Sequence, residues 1–326
     1  MQNVQTAYTP SQSEIEYAAS LLRAGRLVAF PTETVYGLGA NALDELAVRR
    51  IFEVKWRPST SPIIVHISSV EMVQTVVAEW PSAAQRLAQK FWPGPLTLVL
   101  KKQPAVSSIV TAGLDTVGVR MPSHPVALAL IEAAQLPIAA PSANRFTQLS
   151  PTTAQHVREG LGSRVDYILD GGPCTVGIES TVLSLAADAP VVLRPGGVSR
   201  LEIEKVIGPV LLRTETVAEA HPAPGMHPRH YSPRTKLLLV RDGNVPNEGD
   251  GAYLQLRVPP RRAVREVTHM PRDPAGYAAE LYRVLHELDA RAYDWITVEA
   301  PDDSPEWEAV RDRLRRAATA AASEKT

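Results

Sequence analysis

Cysteine is nearly absent: the 326-residue chain holds one, Cys174. A single thiol forms no intramolecular disulfide, and this usage fits a reducing compartment. Phenylalanine is scarce, at four residues, and aromatics make up only 6%. The core must therefore be mostly aliphatic, and 44% hydrophobic residues are enough to build one in each of about two domains. Neither sign of charge dominates, since 34 Lys and Arg face 35 Asp and Glu for a formal net charge of -1. A protein coated for nucleic acid would be clearly basic, so only a local basic cleft is left for such a role. No apolar run approaches the ~20 residues of a membrane-spanning helix. The first residues, "MQNVQTAYTPSQSEIEYAAS", lack a basic segment followed by an apolar one. No secretory signal is expected there, and a cytoplasmic protein is.

Proline and glycine are plentiful, and they punctuate the chain. "SEIEYAASLLRAG" has helical spacing at Ile15, Ala18, Leu21 and Leu22, with Gly25 to end it. "RLVAF" reads as a buried strand, "LDELAVRRIFEVK" as a helix, and "SPIIVHI" as a strand with Ile64 and His66 on one face. "PLTLVLKK", "TVGVRMP", "PIAAPSAN", "STVLSL" and "VVLRPG" are further strands, and "SAAQRLAQKF" and "HPVALALIEAA" helices. The alternation is not strictly βαβ, so residues 1–212 are expected to form an α/β domain with a mixed twisted sheet. Residues 213–235 crowd proline with His221, His227 and His230 and lose periodicity, as a linker does. Residues 236–326 return to strand and helix patterns, from "KLLLV" and "GAYLQL" to "GYAAELYRVLHELDARA" and "DWITVEA". They predict a small α/β domain with parallel pairing.

The hydroxyl-rich stretch "PTETVYGLGANA" follows the first strand. Its Gly37-x-Gly39-x-x-Ala42 spacing brushes against a dinucleotide fingerprint, but six residues separate the strand from Gly37, where the fingerprint needs an immediate turn. Gly172 and Gly177 have the Walker separation, yet Ile178-Glu179 follow in place of Lys-Ser/Thr. Basic residues offer another anion site. Lys55 and Arg57, Arg120 and Arg194 each sit at an element end beside proline or glycine, and guanidinium forks suit phosphate. Ser142, Asn144 and Ser150 lie in a loop after an apolar strand, and Glu179, Ser180 and Thr181 at a strand start. Ser150-Pro151 also reads as a helix cap and first helical residue, and His66 as an ordinary half-buried strand histidine. The linker histidines lack carboxylate or cysteine company for zinc, and Cys174 lacks a nearby histidine to activate it.

Taken together, "PTETVYGLGANA", "KWRPSTSPIIVHI", "FWPGPLTLVL", "GVRMPSHP", "APSANRFTQLSPT", "GIESTVL" and "LRPGG" resemble the YrdC-like family, in particular its two-domain threonylcarbamoyl-AMP synthases. "PGMHPRHYSP" resembles the connector of that form, and "AAELYRVLHELD" with "AVRDRLRRAA" its C-terminal domain. The resemblance spans nearly the whole chain. It implies a YrdC-like twisted mixed sheet with helices, a smaller Rossmann-like C-terminal domain, and a linker over the active site. It implies synthesis of threonylcarbamoyl-AMP from L-threonine, bicarbonate and ATP with Mg²⁺, releasing pyrophosphate. A partner transferase would carry the threonylcarbamoyl group to tRNA adenosine, with any tRNA contact by this chain indirect.

Residue by residue, the resemblance assigns Lys55, Arg57, Ser142 and Asn144 to the catalytic polar cluster around ATP and its metal. Thr34, His66, Arg120, Ala140 and Ser180 match threonine-binding positions. Arg57, Ser61, Thr116, Ser142, Ser150, Arg194 and Tyr231 match the nucleotide side, where Tyr231 is the linker tyrosine covering the nucleotide. Mg²⁺ would be held mainly by ATP and water rather than by protein ligands. Two positions depart: Trp56 stands where glycine is usual, narrowing the entrance or stacking on a base, and Ser61 where asparagine is frequent. "PTETVYG" would form one wall of the threonine pocket, its glycines letting backbone pass close to ligand. Two rivals stay open at this level. A basic cleft could grip RNA phosphates without catalysis, and a related domain could serve carbamoyl transfer, though the cysteine-rich segments expected there are missing.

Overall fold

The computed structural model describes residues 9–213 and 231–318. Most of the 213–235 linker, with His221, His227 and His230, lies outside the described residues. Ten strands form the first sheet: β1 (Val28–Phe30), β2 (Gly37–Asn41), β3 (Val65–His66), β4 (Leu96–Lys101), β5 (Thr116–Arg120), β6 (Ile138–Ala139), β7 (Tyr167–Ile168), β8 (Thr181–Ser184), β9 (Val191–Arg194) and β10 (Leu211–Leu212). Their order is β10-β9-β8-β4-β5-β3-β6-β2-β1-β7. The sheet is mixed: β3 and β5 run parallel, as do β4 and β8, while β1 and β2, β4 and β5, and β8 and β9 are antiparallel.

Helices α1 (Gln12–Arg23), α2 (Glu45–Lys55), α3 (Ser82–Phe91), α4 (Pro125–Ala134), α5 (Ala154–Gly160) and α6 (Arg200–Ile207) accompany these strands. Local chemistry sets their ends. Ser11 and Glu14 make a reciprocal capping box on α1, and Pro125 opens α4 under the His124 cap. Helix α2 ends with Trp56 in the left-handed region, φ 53°, which explains why glycine suits that position.

Two expectations change here. Of the glycines of "PTETVYGLGANA", both Gly37 and Gly39 pair within β2, but only Gly37 lines the cleft described below. A Cβ on Gly39 would come within 2.8 Å of the Phe30 ring and 2.9 Å of Ile138. That glycine serves strand packing rather than approach to a ligand. Ser150 is not a helix cap either, since α5 begins four residues later under Thr153.

The second sheet is wholly parallel, ordered β11-β14-β12-β13, from β11 (Lys236–Val240), β12 (Gly251–Gln255), β13 (Glu266–His269) and β14 (Trp295–Glu299). Helices α7 (Pro274–Ala290) and α8 (Glu308–Ala318) pack with it. Its core does not stop at the second sheet: Val35, Leu149, Ile178 and Tyr231 share a buried cluster with Leu281, Tyr282 and Leu314. Gly177, at φ +75°, lies so close to α7 that a Cβ would sit 2.5 Å from the Ala278 carbonyl oxygen. No helix among the described residues is long and apolar enough to cross a membrane.

Candidate functional site

A cleft opens between the 31–36 turn, the ends of β3, β5 and β9, the 140–142 segment and Tyr231. Nine of the sequence-predicted residues line it: Thr34, Arg57, His66, Arg120, Ala140, Ser142, Ser180, Arg194 and Tyr231. The turn builds itself from hydroxyls. Thr32 Oγ1 accepts from the backbone N–H groups of Thr34 and Val35, both at 3.2 Å, and shares a 2.7 Å hydrogen bond with Thr34 Oγ1.

Parallel pairing of β3 with β5 puts His66 beside Arg120. The Arg120 guanidinium is 3% exposed. Its Nη1 donates to Thr34 Oγ1 at 2.9 Å, its Nε to the Gly94 carbonyl at 3.2 Å, and its Nη2 pairs with Glu33 Oε1 at 2.7 Å. Burial, and then the Arg120 charge, push His66 down to about 3. The ring is therefore neutral at physiological pH, and its Nδ1 has no hydrogen-bond partner among the described residues.

At the other end, Arg57 Nη2 donates to Ser61 Oγ at 2.5 Å and to the Pro62 carbonyl at 2.9 Å. Burial lowers Arg57 to about 10; Tyr231 opposes that shift and Arg194 adds to it. Arg194 donates through Nε and Nη2 to the Ser180 carbonyl at 3.2 and 2.9 Å. Ser180 Oγ is 2.8 Å from Thr97 Oγ1. Lys55, 1% exposed, binds the Ser142 carbonyl at 2.5 Å and the Asn144 carbonyl. Burial, then Arg57, depress its ammonium well below the usual lysine range.

The other predicted residues stand behind the cleft or away from it. Lys55 supports the 142–144 loop from beneath, and Ser61 reaches the cleft only through Arg57. Asn144 Nδ2 donates to the Arg145 and Gln148 carbonyls at 2.7 and 2.9 Å, while its buried Oδ1 has no partner among the described residues. Thr116 lines a separate pocket under β5 with Val99 and Val182. Ser150 is fully buried, and its hydroxyl donates to Glu179 Oε1 at 2.6 Å. Trp56 does not line the cleft. It is 63% exposed, with the Arg145 and Arg164 guanidinium carbons 4.6 and 4.8 Å from its ring centroid. Cys174 is buried, and burial pushes its thiol up, so it is no nucleophile at neutral pH.

Three residues of the site escape sequence reasoning: Glu33, Tyr282 and Arg313. Burial alone would raise the Glu179 carboxyl, but Arg313, Arg194 and the Ser150 hydroxyl hold it below the usual range. Lys55, Arg57, Arg120 and Arg194 are each less than a tenth exposed. Cations this buried suit an anion that enters the cleft better than an RNA backbone lying across the surface.

A family model described as "Telomere recombination", for Sua5, YciO and YrdC proteins, matches residues 20–196. One for the threonylcarbamoyl-AMP synthase C-terminal domain matches residues 198–319. A threonylcarbamoyl-AMP synthase of Pyrococcus abyssi is 43% identical, over 93% of this chain and 94% of its own. One of Bacillus subtilis is 43% identical, over 94% and 93%. The crystal structure of P. abyssi Sua5 complexed with L-threonine superposes with a TM-score of 0.88 at 42% identity, over 95% of this chain and 96% of its own. With both family models matched in sequence order and relatives aligned over nearly their full length, this chain belongs to the threonylcarbamoyl-AMP synthase family in its two-domain form.

Proposed function

We propose that the cleft divides into a threonine end around Thr34, His66, Arg120, Ala140 and Ser180 and a nucleotide end around Arg57, Ser142, Arg194 and Tyr231. The enzyme is an L-threonylcarbamoyladenylate synthase: it joins L-threonine, bicarbonate and ATP and releases pyrophosphate, the first step of the N6-threonylcarbamoyladenosine modification of tRNA. The observation that carries the division is the electrostatic difference between the ends. Arg120 is matched by Glu33, whereas the other end brings Arg57 and Arg194 against the single carboxylate of Glu179, which Arg313 also engages.

Threonine first loses its ammonium proton to water. The neutral amine then attacks the carbon of CO2, one carbon–oxygen π pair moves to oxygen and an N–H proton passes to water, giving a carbamate (from bicarbonate the same product forms with loss of water). A carbamate oxygen then attacks the α-phosphorus, and pyrophosphate leaves with the bond electrons. No protein nucleophile is needed, so catalysis is positioning and charge stabilisation. Arg120 holds the threonine carboxylate, steered by Thr34 and Glu33. His66, neutral and with Nδ1 unspent, orients a polar group of threonine rather than acting as base. Ser180 presents its hydroxyl between the two ends, and Arg57 and Arg194 meet the phosphates.

No group of three or more His, Cys, Asp or Glu among the described residues could hold a metal. The cleft fits Mg²⁺ brought on phosphate oxygens, whose charge it would neutralise. Asn144 Oδ1, which has no hydrogen-bond partner among the described residues, stands behind the cleft lining in the 142–144 loop and is the oxygen that the chain would add. The Ser61 and Lys55 roles are supporting ones, to Arg57 and to the 142–144 loop. Thr116 and Ser150 act on the nucleotide side from outside the cleft lining. Transfer to tRNA falls to a separate enzyme, and the cytoplasm is the setting proposed for both.

Pyrophosphate release with ATP and Mg²⁺, omitting threonine or bicarbonate in turn, tests the reading. Release that requires both is expected. Release with ATP alone would sink it.

A further inference from the structure

The C-terminal unit reaches the cleft wall with two side chains. Arg313 of α8 is 1% exposed, and its Nε donates to Glu179 Oε2 at 2.7 Å. Its guanidinium carbon lies 4.9 Å from the Tyr231 ring centroid, and Nη1 is held by Asp312 at 2.7 Å. Tyr282 of α7 donates to the same Glu179 carboxylate at 3.2–3.3 Å, and its ring sits 6.0 Å from that of Tyr231. Glu179 in turn takes the Ser150 hydroxyl, and His286 of α7 lies 3.1 Å from the Ser150 carbonyl oxygen. Glu179 and Tyr231 both line the cleft.

We propose that Arg313 and Tyr282 are positioning residues for the nucleotide end, fixing Glu179, Tyr231 and Ser150 so that the C-terminal unit sets the affinity for ATP. The inference rests on the assignment of ATP to that end. Stability alone gives a poor reason for the arrangement. A buried ion pair must overcome the desolvation of both charges, and an apolar replacement of similar volume is often neutral or stabilising. What an ion pair with a fork geometry supplies is direction. Here the planar guanidinium is anchored through Nη1 on Asp312, directs Nε at the carboxylate immediately before Ser180, and lies over the Tyr231 ring. Among the described residues Arg313 makes no hydrogen bond or ion pair with Arg120, Glu33 or Thr34. Of the threonine end only Ser180, next to Glu179, lies near the change, so threonine affinity should respond less than nucleotide affinity.

The test compares the full chain with its Arg313→Met, Tyr282→Phe, Glu179→Gln, Arg313→Lys and Arg313→Met/Glu179→Gln variants. Calorimetry reads the affinity for α,β-methylene-ATP and, separately, for threonine. Arg313→Met is expected to weaken the nucleotide at least tenfold and threonine less than twofold, with Arg313→Lys recovering part of the loss. The double variant should be no worse than the worse single one, because both act through one contact. Unchanged nucleotide affinity, equal losses for both ligands, or additive losses would overturn the proposal. If Arg313→Met fails to fold, Tyr282→Phe and the charge-balanced double variant decide it, with a nucleotide loss of at least threefold expected in each. Wild-type protein that binds the analogue but releases no pyrophosphate would refute the activity, while the calorimetric comparison would still decide the coupling.

Discussion

Replacing Thr34 by valine removes one hydroxyl and little else. The side chain is 1% exposed, and valine fills nearly the same volume. The lost oxygen accepts from Arg120 Nη1 at 2.9 Å and shares a hydrogen with Thr32 at 2.7 Å. A hydrogen bond to a charged group contributes about 1.5–3 kcal/mol, and losing it also frees the guanidinium to turn from the threonine carboxylate. If that energy appears in ligand binding, threonine affinity falls roughly ten- to a hundredfold. The nucleotide end is untouched, so ATP-analogue affinity should change less than twofold. Isothermal titration of each ligand into folded wild type and Thr34→Val reads both numbers. Threonine affinity within twofold of wild type would refute the assignment of Thr34, and an equal loss for both ligands would refute the division of the cleft.

Glu33→Gln leaves the Arg120 charge without its buried counter-ion, at a cost of about 3 kcal/mol or roughly 6–12 °C in Tm. Saturating threonine, whose carboxylate supplies the missing charge, should raise the Tm of this variant more than that of wild type in a thermal shift assay. His66 is depressed to about 3 in the folded chain, so below its ordinary pKa the unfolded chain binds the extra proton. Its stabilising contribution is present above pH 6.5 and is lost as pH falls toward 3. His66→Gln should therefore lower the slope of unfolding free energy against pH, between pH 6 and 4, by up to about 1.4 kcal/mol per pH unit; an unchanged slope in denaturant titrations would count against a buried neutral ring. Trp56→Gly relieves a left-handed residue, about 1–2 kcal/mol, and gives up two cation–π contacts of about 0.5–1 kcal/mol each. Steady-state constants within twofold of wild type are expected, and a large rise in the KM for ATP would return Trp56 to the active site.

Much of the site was legible because its cations sit where the backbone turns. Arg57, Arg120 and Arg194 each neighbour proline or glycine at the end of an element, and all three converge on the cleft. Glu33 was not, because its partner lies 87 residues away and nothing local distinguishes it from a loop carboxylate. Arg313 and Tyr282 did leave a signal. In α8 the buried positions are Val310, Arg313, Leu314 and Ala317, so a charge falls on the apolar face of an amphipathic helix. Tyr282 shares its face with Ala278, Leu281 and Leu285. A polar group there must find a partner in the core, and the partner proves to be Glu179. Strand β13 was missed because Val267 is its one apolar residue.

The distribution of buried charge explains why one cleft can accept two unlike ligands. Free threonine is a zwitterion, and the end assigned to it is already balanced, with Arg120 against Glu33. Its carboxylate competes for a guanidinium that is partly satisfied, so binding there depends on geometry, which Thr34 and Gly94 supply. ATP carries about four charges, and the end assigned to it gathers Arg57 and Arg194, with Lys55 behind them. Burial is the main cause that lowers Arg57 and Lys55, and a neighbouring cation adds to each shift, Arg194 for Arg57 and Arg57 for Lys55. A phosphate chain supplies the counter-charge that offsets both. Carbamate formation places a negative charge on the two new oxygens attached through carbon to the threonine nitrogen, and the cationic end attracts it. The gradient that sorts the two ligands therefore also favours the meeting of carbamate oxygen and α-phosphorus, where charge stabilisation acts on the step.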